Sequence, residues 1–146
     1  MAAAEIQLSA KHIRWDDIAR EALSNPRVSP GDDPIMAADW YEREVTEGRL
    51  HLMRYSDGEG RPVAHVAWWI DPNSATPEGG AEFVIAGAVS ALPSIDLVGA
   101  LLPGLEGMAR AMGCVSIRFH TIRDGLVKKV ENMGWERSEI VMRRAL

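Results

Sequence analysis

From Gly99 to Glu136 the chain reads GALLPGLEGMARAMGCVSIRFHTIRDGLVKKVENMGWE: a helix, a buried strand, a second helix and a Gly-Trp-Glu turn, with short connections. Leu97, Leu101, Leu105, Met108 and Met112 recur at helical spacing and make one apolar stripe. Before this run, Glu82 to Val89 is apolar on both faces, the pattern of a central strand. A strand, a helix that crosses over it and a second strand make a right-handed unit with two parallel strands. The Glu82 strand and the Cys114 to Ile122 strand are therefore expected to run parallel, joined by a helix over residues 94–112 that carries Pro103 in its middle.

The rest of the chain adds elements around that unit. Glu5 to Leu8 reads as a short first strand and Ile13 to Leu23 as a helix with Ile13, Ile18 and Leu23 near one side. Ser24 to Pro34, with three prolines, a glycine and adjacent aspartates, is a loop, and Met36 to Glu47 a second helix. Leu50 to Tyr55 and Pro62 to Ile70 form a hairpin around Asp57-Gly58-Glu59-Gly60. Asp71 to Gly80 reads as a polar loop, Asp124 to Met133 as the last helix.

All of this fits one domain over residues 1–146. The chain is 47% hydrophobic and 25% charged, ordinary values for a compact soluble protein. A single cysteine, Cys114, excludes an intrachain disulfide and a cysteine-rich zinc site and implies a reduced, cytoplasmic setting. No run of 18 apolar residues offers a membrane span, and the first residues lack the pattern of a secretory signal. The net charge is −5, with 9 basic and 17 acidic residues up to position 113 and 7 basic and 4 acidic after it. That acidity argues against general nucleic-acid binding.

The helix-strand-helix run resembles the C-terminal half of the GCN5-related N-acetyltransferase (GNAT) fold. Leu101, Leu102, Leu105, Glu106, Ala109, Arg110 and Gly113 match the family helix LLxxLExxARxxG without a gap, and Gly134-Trp135-Glu136 stands where the family has Gly-Phe-Glu. The resemblance implies a mixed α/β (α+β) domain, with a mostly antiparallel sheet of six or seven strands flanked by about four helices. It also implies a loop that cradles the diphosphate of acetyl-CoA ahead of the helix. Counting back from Leu101, the loop's arginine and glycines fall on Pro93, Ser94, Asp96 and Val98, none of which belongs to the motif. A diphosphate needs bare N–H groups, close backbone approach and a positive field, whereas Asp96 brings a carboxylate. The family tyrosine that protonates the departing thiolate aligns with Val130, and the asparagine before the last helix with Arg123.

Two functions follow. In the first the protein has lost acetyl-CoA chemistry, holds no cofactor and works by binding, as a homo-oligomer or within a larger protein assembly. The tail SEIVMRRAL is similar to that of GNAT-like proteins encoded in bacteriophage genomes, which implies a cytoplasmic or virion-associated place. In the second the chain is an active acyl-CoA-dependent N-acetyltransferase. Glu82, near the start of the fourth strand, is then the general base that takes the amine proton. Backbone amides of Gly87, Ala88 and Val89 hold the thioester carbonyl, and Ser94 is a further cofactor-binding residue. His120, one strand position pair beyond Arg118, is a further proton carrier. Metal is not expected: with a two-residue turn at Gly58-Glu59, Leu52 faces His65 and Val66 faces His51, which puts the two imidazoles on opposite faces. Trp40-Tyr41 and Trp68-Trp69 are adjacent pairs whose members must point apart, one into the core and one toward solvent.

Overall fold

The computed structural model describes residues 7–28, 32–74, 79–91, 97–121, 124–139 and 141–146. Its elements are β1 (Ser9–Ile13), α1 (Asp17–Leu23), α2 (Pro34–Thr46), β2 (His51–Ser56), β3 (Pro62–Ser74), β4 (Gly80–Ser90), α3 (Leu97–Ala111), β5 (Ser116–Phe119) and α4 (Asp124–Glu131). The five strands form one sheet in sequential order. β1 to β4 pair antiparallel, and β4 pairs parallel with β5 from Glu82↔Ser116 to Ile85↔Phe119. The parallel pair and the crossing helix are as the sequence implies. Among the described residues five strands stand where six or seven were expected, and 136–139 and 141–146 carry none. No helix among the described residues is long and apolar enough to cross a membrane.

Apolar side chains fill both faces of the sheet. Under α3 and α4 lie Met53, Val66, Trp68, Phe83 and Ile85 with Leu101, Leu102, Leu105 and Val130. Under α1 and α2 lie Leu23, Tyr41, Leu50, Leu52, Ala67 and Val89. Trp68 is buried at 2% exposure and Tyr41 at 2%, while their neighbours Trp69 and Trp40 lie nearer solvent, so each adjacent pair divides as expected. Met112, expected in the apolar stripe, lies beyond the end of α3 and is 46% exposed.

Local chemistry sets the ends of the elements. Asp16 accepts the N–H of Ala19 at 2.9 Å and so caps α1, which starts four residues later than the sequence suggested. Ile13 consequently belongs to β1, which pairs with β2 from Ser9↔Ser56 to Ile13↔Leu52; of the strand expected at 5–8, residues 7–8 carry none and 5–6 lie outside the described residues. Ile18 is exposed rather than sharing a buried side with Leu23. Asp33 caps α2 by accepting from Ile35 and Met36, with Pro34 in the first turn. β3 runs on to Ser74, into the stretch expected as loop, because β4 pairs along it as far as Asp71↔Glu82 and Ser74↔Gly80. At the end of α4, Gly134 takes φ +93° while Trp135 N–H bonds the carbonyl of Val130 at 3.0 Å. Trp135 then packs on Phe119 and donates through Nε1 to Glu106 at 3.0 Å, tying the Gly-Trp-Glu turn to α3.

The hairpin register differs from the two-residue-turn expectation. Asp57 N–H bonds the carbonyl of Arg61 and Gly60 N–H that of Asp57, so the loop is longer. His51 pairs with Trp68 and Arg54 with His65. A shift of two residues preserves the faces, and His51 and His65 still point to opposite sides.

Candidate active site

β4 carries one extra residue opposite β3: Ala67 pairs with Gly87 and Trp68 with Ile85, leaving Ala86 as a bulge. At the same level β5 ends, so from Ala86 to Ser90 the far edge of β4 has no strand partner among the described residues. The pairing of the two strands ends there. A cavity of about 130 Å³ opens at this level, walled by Ile85 to Ala88 of β4, Phe119 to Thr121 at the end of β5, Val98, Leu101, Leu102 and Leu105 of α3, Leu126 of α4, and Arg27 and Val28 before α2. Its walls are largely apolar, with a cation and an imidazole in them.

The bulge is pinned from the other face. Tyr41 of α2 donates its hydroxyl to the carbonyl of Ala86 at 2.9 Å. Gly87 is bare of necessity, since a Cβ there would lie 2.2 Å from the Tyr41 oxygen. Gly87 and Ala88, expected to present amides to a thioester, both line the cavity. Val89, the third of that set, is buried in the core under α1 and α2. Ser94, with Pro93 and Asp96, lies outside the described residues, as does Arg123. Val130 is buried in the core at 6% exposure.

Glu82, the expected general base, is a buried carboxylate, 4% exposed. It accepts from Ser116 Oγ at 2.8 Å, from Ser74 Oγ at 3.2 Å and from Arg118 Nη1 in a short ion pair. Asp71 Oδ2 lies 4.0 Å from the same nitrogen. An ionised carboxylate offers about four lone-pair positions, so three donors leave Glu82 little room for a further proton. The sequence signal for these donors is the alternation of Ser116, Arg118 and His120, polar at every second position of an otherwise apolar strand.

His120 follows β5 in the cavity wall, half exposed, with Nε2 3.1 Å from Glu139 Oε1. A carboxylate only accepts, so in the neutral ring Nε2 carries the hydrogen and Nδ1 keeps a lone pair. Such an imidazole offers Nδ1 as an acceptor.

On the opposite face, His65 is buried beside Arg54, whose Nε donates to His65 Nε2 at 2.9 Å and whose Nη2 donates to Asp16 Oδ1 at 2.6 Å. Burial first, and the Arg54 charge second, hold the His65 pKa down at about 4. The Arg54 hydrogen bond keeps the Asp16 carboxyl below its ordinary value. This network caps α1 and is not part of the cavity. Burial pushes the Cys114 thiol up, which suits an unreactive side chain.

No protein-family model and no curated protein matches the chain. Solved structures do. A GCN5-related N-acetyltransferase from Ralstonia eutropha JMP134 superposes with a TM-score of 0.70 at 16% identity, over 95% of this chain and 99% of that one. An acetyltransferase of Trypanosoma brucei gives 0.64 at 19% identity, over 96% and 100%. The aminoglycoside N-acetyltransferase AAC(6')-Iy, solved in complex with CoA, gives 0.64 at 14% identity, over 100% and 99%. Two parallel strands whose pairing ends beside a bulge, under a crossing helix, thus belong to a known architecture, and the chain has the fold of the GCN5-related N-acetyltransferases.

Proposed function

We propose that the chain is an acyl-CoA-dependent N-acyltransferase whose thioester arm enters the cavity between β4 and β5. The observation that carries this reading is the cavity that opens where the pairing of the strands ends, beside the Ala86 bulge. The residues that line the cavity suit the pantetheine part of the group: Val98, Leu101, Leu105 and Phe119 give apolar walls, the free edge of β4 offers backbone groups, and Arg27 adds a positive charge, while 92–96, ahead of α3, lie outside the described residues. When bound, an acyl-CoA would supply a thioester whose carbonyl carbon an amine attacks, the C–N bond forming as the C–S bond breaks and CoA leaving as its thiolate.

The protein's own part is to orient and to move one proton. One outward-pointing amide of the Gly87–Ala88 pair meets the carbonyl oxygen, where charge develops. His120 receives the amine proton at Nδ1 while Glu139 holds Nε2–H. Glu82, engaged by three donors, serves as the fixed partner of Arg118 and is second choice as base. Calorimetric titration with acetyl-CoA and with desulfo-CoA tests the reading. Saturable binding of both with a raised melting temperature is expected, and no binding of either at millimolar concentration overturns it.

A second reading, a binding or assembly role without turnover and with a protein partner or a second copy, has the occupied oxygens of Glu82 in its favour. Absence of both acetyl-CoA binding and transfer to any amine is its signature.

A further inference from the structure

A second cavity, of about 650 Å³, lies at the far edge of the sheet, where β1 ends and β2 begins. No residue lines both cavities. His12 pairs with Met53, and His51 stands two positions before Met53 on β2, so the two imidazoles share a face of the sheet. Both rings rest on Trp68, His51 stacked with 4.3 Å between centroids and His12 edge-on at 5.9 Å. Arg14 follows directly after β1, and His12, Arg14 and His51 line the cavity together with Thr46, the last residue of α2.

The chain carries a net charge of −5, yet no carboxylate lines this wall among the described residues. Asp16 is held by Arg54, and Glu44 and Glu47 are held by Arg49. His12, Arg14 and His51 themselves have no hydrogen-bond or ion-pair partner among the described residues. The indole that the two histidines cover is 2% exposed, and its Nε1–H is buried without an acceptor, an unmet bond directly behind the cavity wall. The remaining wall is largely apolar, with Ile13, Trp15, Leu50 and Leu52 in it.

We propose that this cavity is a second ligand site, separate from acyl transfer, and that it takes a monocarboxylate carried on an aromatic body. Arg14 is permanently charged and matches a single negative charge, in the two-pronged manner of a guanidinium on a carboxylate. Each imidazole has an N–H to give to the same group. Trp15 and the leucines receive the ring. The volume falls in the range of about 300–1,000 Å³ that holds small organic ligands and exceeds what a bare inorganic anion fills.

The test is an amide and indole NMR titration of the full chain with phenylpropionate, phenylpropylamine, propionate and inorganic phosphate. Phenylpropionate is expected to give saturable shifts at His12, Arg14, Trp15, His51 and the Trp68 indole N–H, with an affinity at least tenfold above the other three. Arg14→Gln should weaken it fivefold or more, with Arg14→Lys recovering part of the loss, and His51→Gln should weaken it at least twofold; both side chains are exposed. No saturable binding of phenylpropionate overturns the proposal, and so does equal or tighter binding of any of the other three. Shifts confined to the cavity beside β4 and β5, or an affinity that Arg14→Gln and His51→Gln both leave unchanged, overturn it as well.

Discussion

The Tyr41 hydroxyl donates to the Ala86 carbonyl across 45 residues of sequence, and by doing so it holds the β4 bulge from the face opposite the cavity. Val28 Cγ1 would also lie 3.2 Å from a Cβ placed on Gly87. Helix α2 and the cavity wall are therefore one mechanical unit.

Gly87→Ala is expected to destabilise the protein by about 1–3 kcal/mol, the range for overpacking a filled site. Tyr41→Phe keeps the ring and removes the bond, at about 1 kcal/mol. In the background of Tyr41→Phe, Gly87→Ala should cost less, since the oxygen it strikes is gone. Urea denaturation of the single and double variants measures this, and additive costs would contradict the contact.

Arg118→Met strands the buried Glu82 carboxylate with two hydroxyl donors, and about 3 kcal/mol of stability should be lost. Replacing both, Arg118→Met with Glu82→Met, should recover most of it, because no charge then remains to be buried. A double variant as unstable as the single one would show that the pair itself, not the orphaned charge, is what stabilises.

His65 binds a proton in the unfolded chain near its ordinary 6.5 but in the folded protein only near 4. Between those values the unfolded state holds more protons, so stability falls as pH falls from 6.5 toward 4, by about 3 kcal/mol at the limit. Asp16, held low by Arg54, adds a further loss only below the ordinary carboxylate range. Melting temperature against pH should show this acid slope in the wild type and a flatter one in His65→Gln.

His120→Gln should reduce acetyl transfer by about 10²–10⁴, the usual contribution of a positioned acid-base group, with acetyl-CoA affinity nearly unchanged. Glu82→Gln should retain turnover under the same assay. Steady-state kinetics beside calorimetry of both variants separates the two, and the reverse pattern would make Glu82 the base.

Much of the architecture was legible because it is written in local periodicity. The stripe of Leu101, Leu105 and Met108 defined α3, the apolar run of β4 its central place, and the Gly134-Trp135 turn the end of α4. The opposite faces of His51 and His65 were legible too, since alternation survives a register shift of two.

Local pattern thus gave the main helices, the hairpin strands and the helix that crosses between two parallel strands, while the extent of β1, the start of α1 and the continuation of β3 to Ser74 followed from pairing and capping partners. Only the tertiary structure decided which residues meet. The bulge at Ala86 exists because Tyr41, packed from a distant helix, bonds its carbonyl. Glu82 is occupied because β5 lays Ser116 and Arg118 alongside it, 34 and 36 residues away. His120 acquires Glu139, and Asp32 acquires Arg143 across 111 residues. Side-chain period is set within a few residues by backbone geometry, whereas the partner of a charge is set by the packing of segments that only the folded chain brings together.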